Sequence, residues 1–251
     1  MLPDFQHSRL ARLTILDYGL FQVHANGRII GICGYLLDTT DRKRILIDTG
    51  FPAAYVTDPQ VAAEADGLAA FGHLLSLTPA QTPQGQLALM GLTPADIDLM
   101  ILTHGHIDHV GQIDAFTHCP ILVSAAERRF DRPIYFGTAR PLVWPAAPYI
   151  EIDADLALFP GCEVLHCPGH APGQLAFRLQ LPQTGAVLLT SDAINRPSEP
   201  AEGFAGSWNV ALAIHHAHRL LSLATQTGAQ IIYGHGPDQW PTLRKAPHSY
   251  G

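Results

Sequence analysis

Residues 101–112, ILTHGHIDHVGQ, place three histidines and one aspartate in six consecutive positions directly after an apolar run. Side chains two residues apart point the same way in an extended backbone, so His104 and His106 can bind one metal ion. Asp108 and His109 follow after the chain turns and can face a second ion. Three imidazoles packed together would repel one another on protonation unless something binds them. The cluster therefore predicts a metal site.

One metal ion needs three or four protein ligands, so the remaining ligands must come from distant parts of the chain. The candidates are His170 in CPGHAPGQ, Asp192 in LLTSDA and His235 in IIYGHG. Each stands at or just past the end of an apolar run, where a sheet presents side chains rigidly at one rim. The other histidines near the C-terminus are interpreted as surface or packing residues of a helix: His215, His216 and His218.

Short apolar, β-branched runs bounded by Gly, Pro, Asn or Asp predict the strands that position these residues. The predicted strands are 13–17, 29–37, 44–48, 97–103, 121–124, 163–167, 175–179, 187–191 and 230–233. Glycines inside the cluster, Gly105 and Gly111, would permit the tight backbone that it needs.

Two helices have clear end signals. Thr82 and Pro83 predict a helix start, with Gly91 after its end. Asn209 predicts the N-cap of a longer helix that runs to Thr227 and ends at Gly228. The apolar positions of this second helix predict one buried stripe: Leu212, Ile214, Leu220, Leu221 and Leu223.

Strands come first and then alternate with helices along the chain, which predicts two sheets packed face to face with helices outside. No linker divides the chain, so we expect one domain over residues 1–251. Residues 53–81 form a long excursion rich in Ala, Gly and Pro between two predicted strands. Long excursions of this kind are often lids or substrate walls, and we expect the same here.

Composition excludes several classes of protein. The formal net charge is −7, so nucleic acid is an unfavourable partner. No window is long and apolar enough for a membrane span. The N-terminal residues do not have the pattern of a secretory signal, and the four cysteines form no CxxC pair. We therefore expect a cytoplasmic protein with free thiols.

The HxHxDH pattern of residues 104–109, followed by His170, Asp192 and a Gly-His pair ending at His235, resembles the metallo-β-lactamase superfamily. The run ILIDTG at 45–50 resembles an early strand-and-turn motif of that family. The resemblance implies an α/β (α+β) fold, an αββα sandwich of two mixed β-sheets flanked by helices. It also implies a site for two metal ions, usually zinc, at one edge.

By position, the resemblance assigns a role to each candidate. The implied roles are His104, His106 and His170 on the first metal ion, Asp108, His109 and His235 on the second, Asp192 as the bridge and Asp48 as the carboxylate that orients the ligands. Two such cations can deprotonate a shared water near neutral pH, and Asp108 can also steer a proton to the leaving group. Zinc suits these ligands, with iron, manganese and cobalt left open.

Within the superfamily the chain is most similar to the N-acyl-homoserine lactonase group, with which it shares GYLLDT, ILIDTG, PGHAPGQ and VLLTSDA. This implies a quorum-quenching hydrolase that opens a lactone by attack of a metal-bridging hydroxide. The alternative is another dinuclear-metal hydrolase: a thioesterase, arylesterase or phosphotriesterase. An iron-dependent oxidoreductase and a binding protein without turnover are less favoured. A homodimer is left open.

Two departures from the group concern the substrate. A tyrosine that hydrogen-bonds the lactone carbonyl commonly stands three residues after the bridging aspartate, where this chain has Asn195. Asn195 either donates to the carbonyl oxygen in its place or leaves the position without a donor. Gly236 stands where the group commonly has aspartate. Aromatic side chains on two loops are expected to wall an apolar cleft: Phe130, Tyr135, Phe136, Trp144, Tyr149, Phe204 and Trp208.

Overall fold

The computed structural model describes residues 2–133 and 143–251, and its strands form two sheets. The seven-stranded sheet has, in spatial order, β4 (Gly72–Ser76), β1 (Leu10–Val23), β2 (Ile29–Thr39), β3 (Arg44–Ile47), β5 (Leu99–Ile101), β6 (Ile121–Ser124) and β7 (Tyr149–Ile152). The five-stranded sheet has β12 (Gln230–Tyr233), β11 (Gly185–Ser191), β10 (Leu175–Leu181), β9 (Cys162–His166) and β8 (Leu156–Phe159). The helices are α1 (Ala54–Thr57), α2 (Pro59–Ala65), α3 (Pro83–Ala88), α4 (Ile107–Val110), α5 (Ala125–Arg128), α6 (Glu199–Glu202) and α7 (Val210–Thr227).

Strand β1 shows why the sheets form a layered structure. Leu13 and Ile15 point into the core between the two sheets, whereas Leu16 and Tyr18 point into the core between the first sheet and its helices. Successive side chains of a strand face opposite sides, so an apolar strand can serve two cores. Both sheets contain parallel and antiparallel pairs. The predicted αββα sandwich of two mixed sheets is confirmed.

Helix α7 covers the outer face of the five-stranded sheet. The Asn209 side chain accepts a hydrogen bond from Leu212 N at 3.1 Å, and Gly228 ends the helix at φ 64°, as predicted. The predicted stripe is wrong in detail, because the fully buried positions are Ala213, Ala217, Leu220 and Ala224. Small side chains let the helix lie close to the sheet, and the larger apolar residues flank this contact.

The predicted strands are present, but β1 is longer than predicted and three strands were missed. Asp17 and Gly19 look like the end of a strand in the sequence, yet β1 continues through a register shift between Asp17 and Leu20. Gly19, at φ 100°, allows this bend. The missed strands β4, β7 and β8 lie at sheet edges and are partly exposed, so they do not form continuous apolar runs.

The excursion at 53–81 forms α1, α2 and the edge strand β4. Strand β4 pairs antiparallel with β1, with Gly72 opposite Val23. Phe71, just before β4, lines the cavity described below. The segment is therefore attached to the sheet and contributes to a cavity wall, and its action as a lid stays a prediction.

Over residues 2–133 and 143–251, no helix is long and apolar enough to cross a membrane. The four cysteines are free and buried, as the absence of a CxxC pair predicted.

Candidate metal centre

Strand ends from both sheets meet at one edge of the sandwich. Strand β5 leads into Thr103 and His104, β11 ends immediately before Asp192, and β12 ends two residues before His235. A hydrogen bond of 2.9 Å from Leu175 N to Thr103 O joins the two sheets at this edge. Residues that are far apart in sequence are therefore positioned by rigid backbone.

All seven predicted ligands lie in two clusters at this edge. Within each cluster the candidate ligand atoms lie within 4.8 Å of one another. The clusters are His104, His106, His170 and Asp192, and Asp108, His109 and His235.

Asp192 lies between the clusters. Its Oδ1 is 3.4 Å from Nε2 of His109, and its Oδ2 is 3.3 Å from Nε2 of His170 and 3.2 Å from Nε2 of His235. The two carboxylate oxygens therefore face both clusters, which is the placement that a bridging ligand requires.

A buried carboxylate behind the cluster orients His109. Asp48 Oδ2 lies 2.8 Å from His109 Nδ1, and Asp48 accepts hydrogen bonds from Thr103 N at 2.8 Å and Thr103 Oγ1 at 2.7 Å. Asp48 itself has φ 61°, a left-handed conformation that aspartate tolerates better than most residues. With Nδ1 held by Asp48, Nε2 of His109 is turned towards the centre.

The same arrangement recurs at two other imidazoles. His104 Nδ1 lies 3.1 Å from Thr103 Oγ1, and His235 Nδ1 lies 2.9 Å from the carbonyl oxygen of Gly31. In both rings Nδ1 is hydrogen-bonded to a hydroxyl or backbone oxygen, so Nε2 is left to bind a metal ion.

Three buried polar atoms at the centre have no hydrogen-bond partner among residues 2–133 and 143–251: His104 Nε2, His109 Nε2 and Asp192 Oδ1. Burying such atoms without a partner is costly, and a structure that does so usually binds something there. Imidazole nitrogens and carboxylate oxygens are ligands of divalent metal ions. The residues present therefore fit a metal ion.

At His104 and His170, in the first cluster, electrostatics favour the same conclusion. Burial lowers the pKa of His104 well below its ordinary value and lowers the pKa of His170 to about 3. Both rings are therefore neutral, the form that binds a metal ion. Burial would raise the pKa of Asp192, but the imidazoles of His235 and His109 outweigh it and hold that pKa well below its ordinary value.

Glu127 joins two of the ligand-bearing loops and was not predicted from the sequence. Its Oε2 accepts a hydrogen bond from Gly105 N at 2.9 Å, and its Oε1 accepts one from Gly173 N at 2.7 Å. These loops carry His106 and His170. A glutamate in a short helix has no distinctive sequence pattern. Its role is indicated only by its burial in the structure, where 3% of its surface is exposed.

Gly111 has a different function from the one that its position suggested. Its φ of −60° is ordinary, so no unusual backbone angle requires glycine here. A Cβ atom would instead lie 2.2 Å from backbone atoms of Phe51 and Pro52. Gly111 N also donates to Gly50 O at 2.8 Å. Glycine is needed because this close approach places the loop after β3 against α4.

A cavity of about 730 Å³ opens beside the metal centre, and His106 and His170 form part of its wall. Of the predicted aromatic residues, Phe130, Phe204 and Trp208 line it. Trp144 and Tyr149 belong to the core cluster of the first sheet instead. The other two, Tyr135 and Phe136, lie outside the described residues.

Asn195 also lines this cavity, but its amide is turned to a neighbour. Its Nδ2 donates to Glu199 Oε1 at 3.1 Å, while its Oδ1 is buried and has no hydrogen-bond partner in the part of the chain that the structure describes. This orientation makes Asn195 a poor replacement for the tyrosine donor.

Comparison with known proteins agrees with this geometry. The sequence model of the metallo-β-lactamase superfamily matches residues 34–235. The chain is 30% identical to N-acyl homoserine lactonase AttM of Azorhizobium caulinodans, covering 86% of each chain. It is 31% identical to N-acyl homoserine lactonase AiiA of Bacillus thuringiensis subsp. kurstaki, covering 85% of this chain and 84% of that one.

Among solved structures, the fold is similar to that of an N-acyl homoserine lactone hydrolase with the product N-hexanoyl-L-homoserine bound at its catalytic metal centre. The TM-score is 0.83 at 27% identity, and the match covers 96% of this chain and 99% of that one. The protein belongs to the metallo-β-lactamase superfamily and, within it, to the group of N-acyl homoserine lactonases.

Proposed function

We propose that the protein is a metal-dependent hydrolase that opens the ring of N-acyl-homoserine lactones or related lactones. The observation that carries the proposal is the position of Asp192 between two clusters of imidazoles at the end of an open cavity. The relatives that support it are N-acyl homoserine lactonases over most of their length. Activity on such lactones would make this a quorum-quenching enzyme.

We infer that the centre holds two divalent cations, with zinc as the best fit to imidazole and carboxylate ligands. His104, His106 and His170 would bind one, Asp108, His109 and His235 the other, and Asp192 both. Bound cations would lower the pKa of a bound water to near neutral. They would also stabilise the negative charge that develops on the carbonyl oxygen of the ester.

Asp108 is the residue that we assign to proton transfer. Its Oδ2 lies 3.6 Å from His109 Nε2 and 3.5 Å from His235 Nε2, and its side chain is almost fully buried. A carboxylate held here can accept the proton of the attacking water and return it to the alkoxide oxygen of the opened ring. The ester bond is then hydrolysed without a nucleophilic side chain.

Cysteine nucleophiles do not compete with this mechanism. Burial raises the pKa of Cys33 and of Cys162 to about 12, and that of Cys119 to about 11. Thiols with such pKa values remain protonated near neutral pH and are weak nucleophiles.

The cavity wall suits a substrate with an apolar part. Phe71, Phe130, Phe204 and Trp208 line it, and aromatic walls commonly hold acyl or aryl groups. The net charge of −7 is compatible with a neutral small-molecule substrate and unfavourable for nucleic acid. A cytoplasmic location, a homodimer and a single functional domain over residues 1–251 remain predictions.

Hydrolysis assays with a substrate panel test the proposal. Zinc-loaded protein should open N-acyl-homoserine lactones faster than it hydrolyses thioesters, aryl esters or paraoxon-like phosphotriesters. The variant His104→Ala should lose the activity, whereas His218→Ala, at an exposed position of α7, should keep it. Higher kcat/KM for a thioester or phosphotriester than for every lactone would replace the lactonase proposal with the alternative hydrolase.

A further inference from the structure

Arg28 lines the cavity beside the metal centre. It lies in the turn between β1 and β2, where Val23 N donates to its carbonyl oxygen at 2.9 Å. Its own backbone N donates to Asn26 Oδ1 at 3.0 Å. These bonds fix the backbone of the turn, so the guanidinium reaches the cavity from a defined position.

A second arginine in the cavity wall is already paired. The guanidinium of Arg196 forms ion pairs with Glu202 and, at 3.7 Å, with Glu199. In contrast, over residues 2–133 and 143–251, the guanidinium of Arg28 has no ion pair within 4 Å. Its Nε is buried and has no hydrogen-bond partner. The side chain is half-buried in the cavity wall, and its terminal nitrogens are the donors that a ligand bound in the cavity can reach.

The surrounding charges indicate that this acceptor is neutral. Burial and then the repulsion of Arg196 lower the pKa of Arg28, while Glu199, Glu202 and Asp192 act in the opposite direction. Arginine stays protonated in proteins, so its charge is balanced at longer range by these carboxylates. A substrate carboxylate would be repelled by Glu199 and Glu202, which line the same cavity, whereas a carbonyl oxygen would accept from Arg28 without that repulsion.

We propose that Arg28 determines specificity by donating a hydrogen bond to a neutral carbonyl oxygen in the acylamino side chain of the lactone. The apolar residues Val23, Phe71 and Trp208 line the same cavity and would contact the alkyl tail beyond that oxygen. The proposal rests on the lactonase function. It adds that the enzyme recognises the carbonyl group of the acylamino side chain, which lies away from the ester bond that is broken. Arg28 is a binding residue and takes no part in the chemical step.

The test compares two lactones of equal chain length on the zinc-loaded enzyme: N-hexanoyl-homoserine lactone, and an α-alkyl-γ-butyrolactone that lacks the amide. Arg28→Met keeps the apolar stem and removes the donor. We expect it to lower kcat/KM for the acylamino lactone by about 10- to 100-fold, mainly through KM, with little change for the alkyl lactone. Arg28→Lys should recover part of the loss.

The matched control is Arg12→Met, since Arg12 is 60% exposed beside Asp38 and does not line this cavity. This control should leave both lactones unaffected. An equal loss on both lactones in Arg28→Met, or no loss on either, would overturn the role of Arg28.

A binding measurement separates this inference from the lactonase proposal. Calorimetry with ring-opened N-hexanoyl-homoserine requires no turnover. If the wild type opens no lactone but binds this ligand about tenfold or more tightly than Arg28→Met does, the lactonase proposal fails and the role of Arg28 stands. Equal affinity for the two proteins, or no binding to either, would overturn the role of Arg28 itself.

Discussion

Asp48 Oδ2 lies 2.8 Å from His109 Nδ1, on the opposite side of the imidazole from Asp192. The two aspartates therefore hold one ring from both ends: Asp48 fixes its orientation, and Asp192 faces its ligand atom. Burial alone would lower the pKa of His109, but the carboxylates of Asp108, Asp192 and Asp48 outweigh it and raise that pKa to about 10.

Replacing Asp48 by asparagine should weaken metal binding without removing a ligand. The amide keeps the size of the side chain but loses the charge that favours the oriented ring, so zinc affinity should fall about 10- to 100-fold. Competition with a fluorescent chelator measures this. Asp98→Asn, at an exposed carboxylate that accepts from Arg44 N, is the control. Unchanged zinc affinity in Asp48→Asn would remove the orienting role.

Replacing Asp192 by alanine should affect both metal ions together. Because its oxygens face His109, His170 and His235, we expect metal content to fall from about two ions per chain to one or fewer. The loss of kcat/KM should exceed about 100-fold, which is the largest loss typical of replacing a residue that only orients a metal ligand. Metal analysis and lactone hydrolysis give the two readouts. A fully active variant would contradict the two-metal mechanism.

Glu127→Gln should loosen the loops that carry His106 and His170. One of the two backbone N–H donors then faces an amide NH₂ instead of an oxygen, which should lower the free energy of unfolding by about 1–3 kcal/mol. Zinc should also dissociate faster. Chemical unfolding and stopped-flow chelation measure the two effects. Glu163→Gln, at the partly exposed pair with Arg178, should change the rate of zinc loss very little, and a similar rate in both variants would argue against a positioning role.

Asn195→Ala should be nearly silent in kcat. The amide of Asn195 already donates to Glu199, and the atom without a partner is its acceptor oxygen, which cannot stabilise a developing oxyanion. Steady-state kinetics on a homoserine lactone should show kcat within about twofold of the wild type. A donor to the oxyanion would typically be worth about 10²–10³ in kcat, so a loss of that size would show that Asn195 has taken over the role of the tyrosine.

His216 should make stability depend on pH. Partial burial lowers the pKa of His216 to about 4, and its Nδ1 is buried without a hydrogen-bond partner among the described residues. In the unfolded chain a histidine binds its proton near pH 6.5, so between about 6.5 and 4 the unfolded state binds more protons than the folded state. Its contribution to stability is therefore complete above pH 6.5 and is lost as the pH falls towards 4.

Thermal unfolding of zinc-loaded wild type and His216→Gln checks this pH dependence. On acidification from pH 7 to pH 4.5, Tm should fall further in the wild type than in the variant. His215→Gln, at an exposed position of the same helix, is the control and should follow the wild type. Parallel curves for the wild type and His216→Gln would contradict the prediction.

The sequence by itself determined the ligand types, the sandwich and the caps of its long helix. The cluster of three histidines and one aspartate is a local pattern, because its members lie within six consecutive residues. The end signals of α7, Asn209 and Gly228, are local in the same sense. These features can be read directly because hydrogen bonding and side-chain direction over a few residues depend mainly on those residues.

The tertiary structure decided what depends on distant partners. Asp192 came to lie between imidazoles of both clusters only when the sheet that carries β11 and β12 packed against the sheet that carries β5. Glu127 gained its role from two glycine N–H groups on separate loops. The unpaired state of Arg28 likewise follows from where Glu199 and Glu202 lie, since both pair with Arg196 instead. Burial and pairing are properties of contacts made across the fold, and no local pattern of residue types contains them.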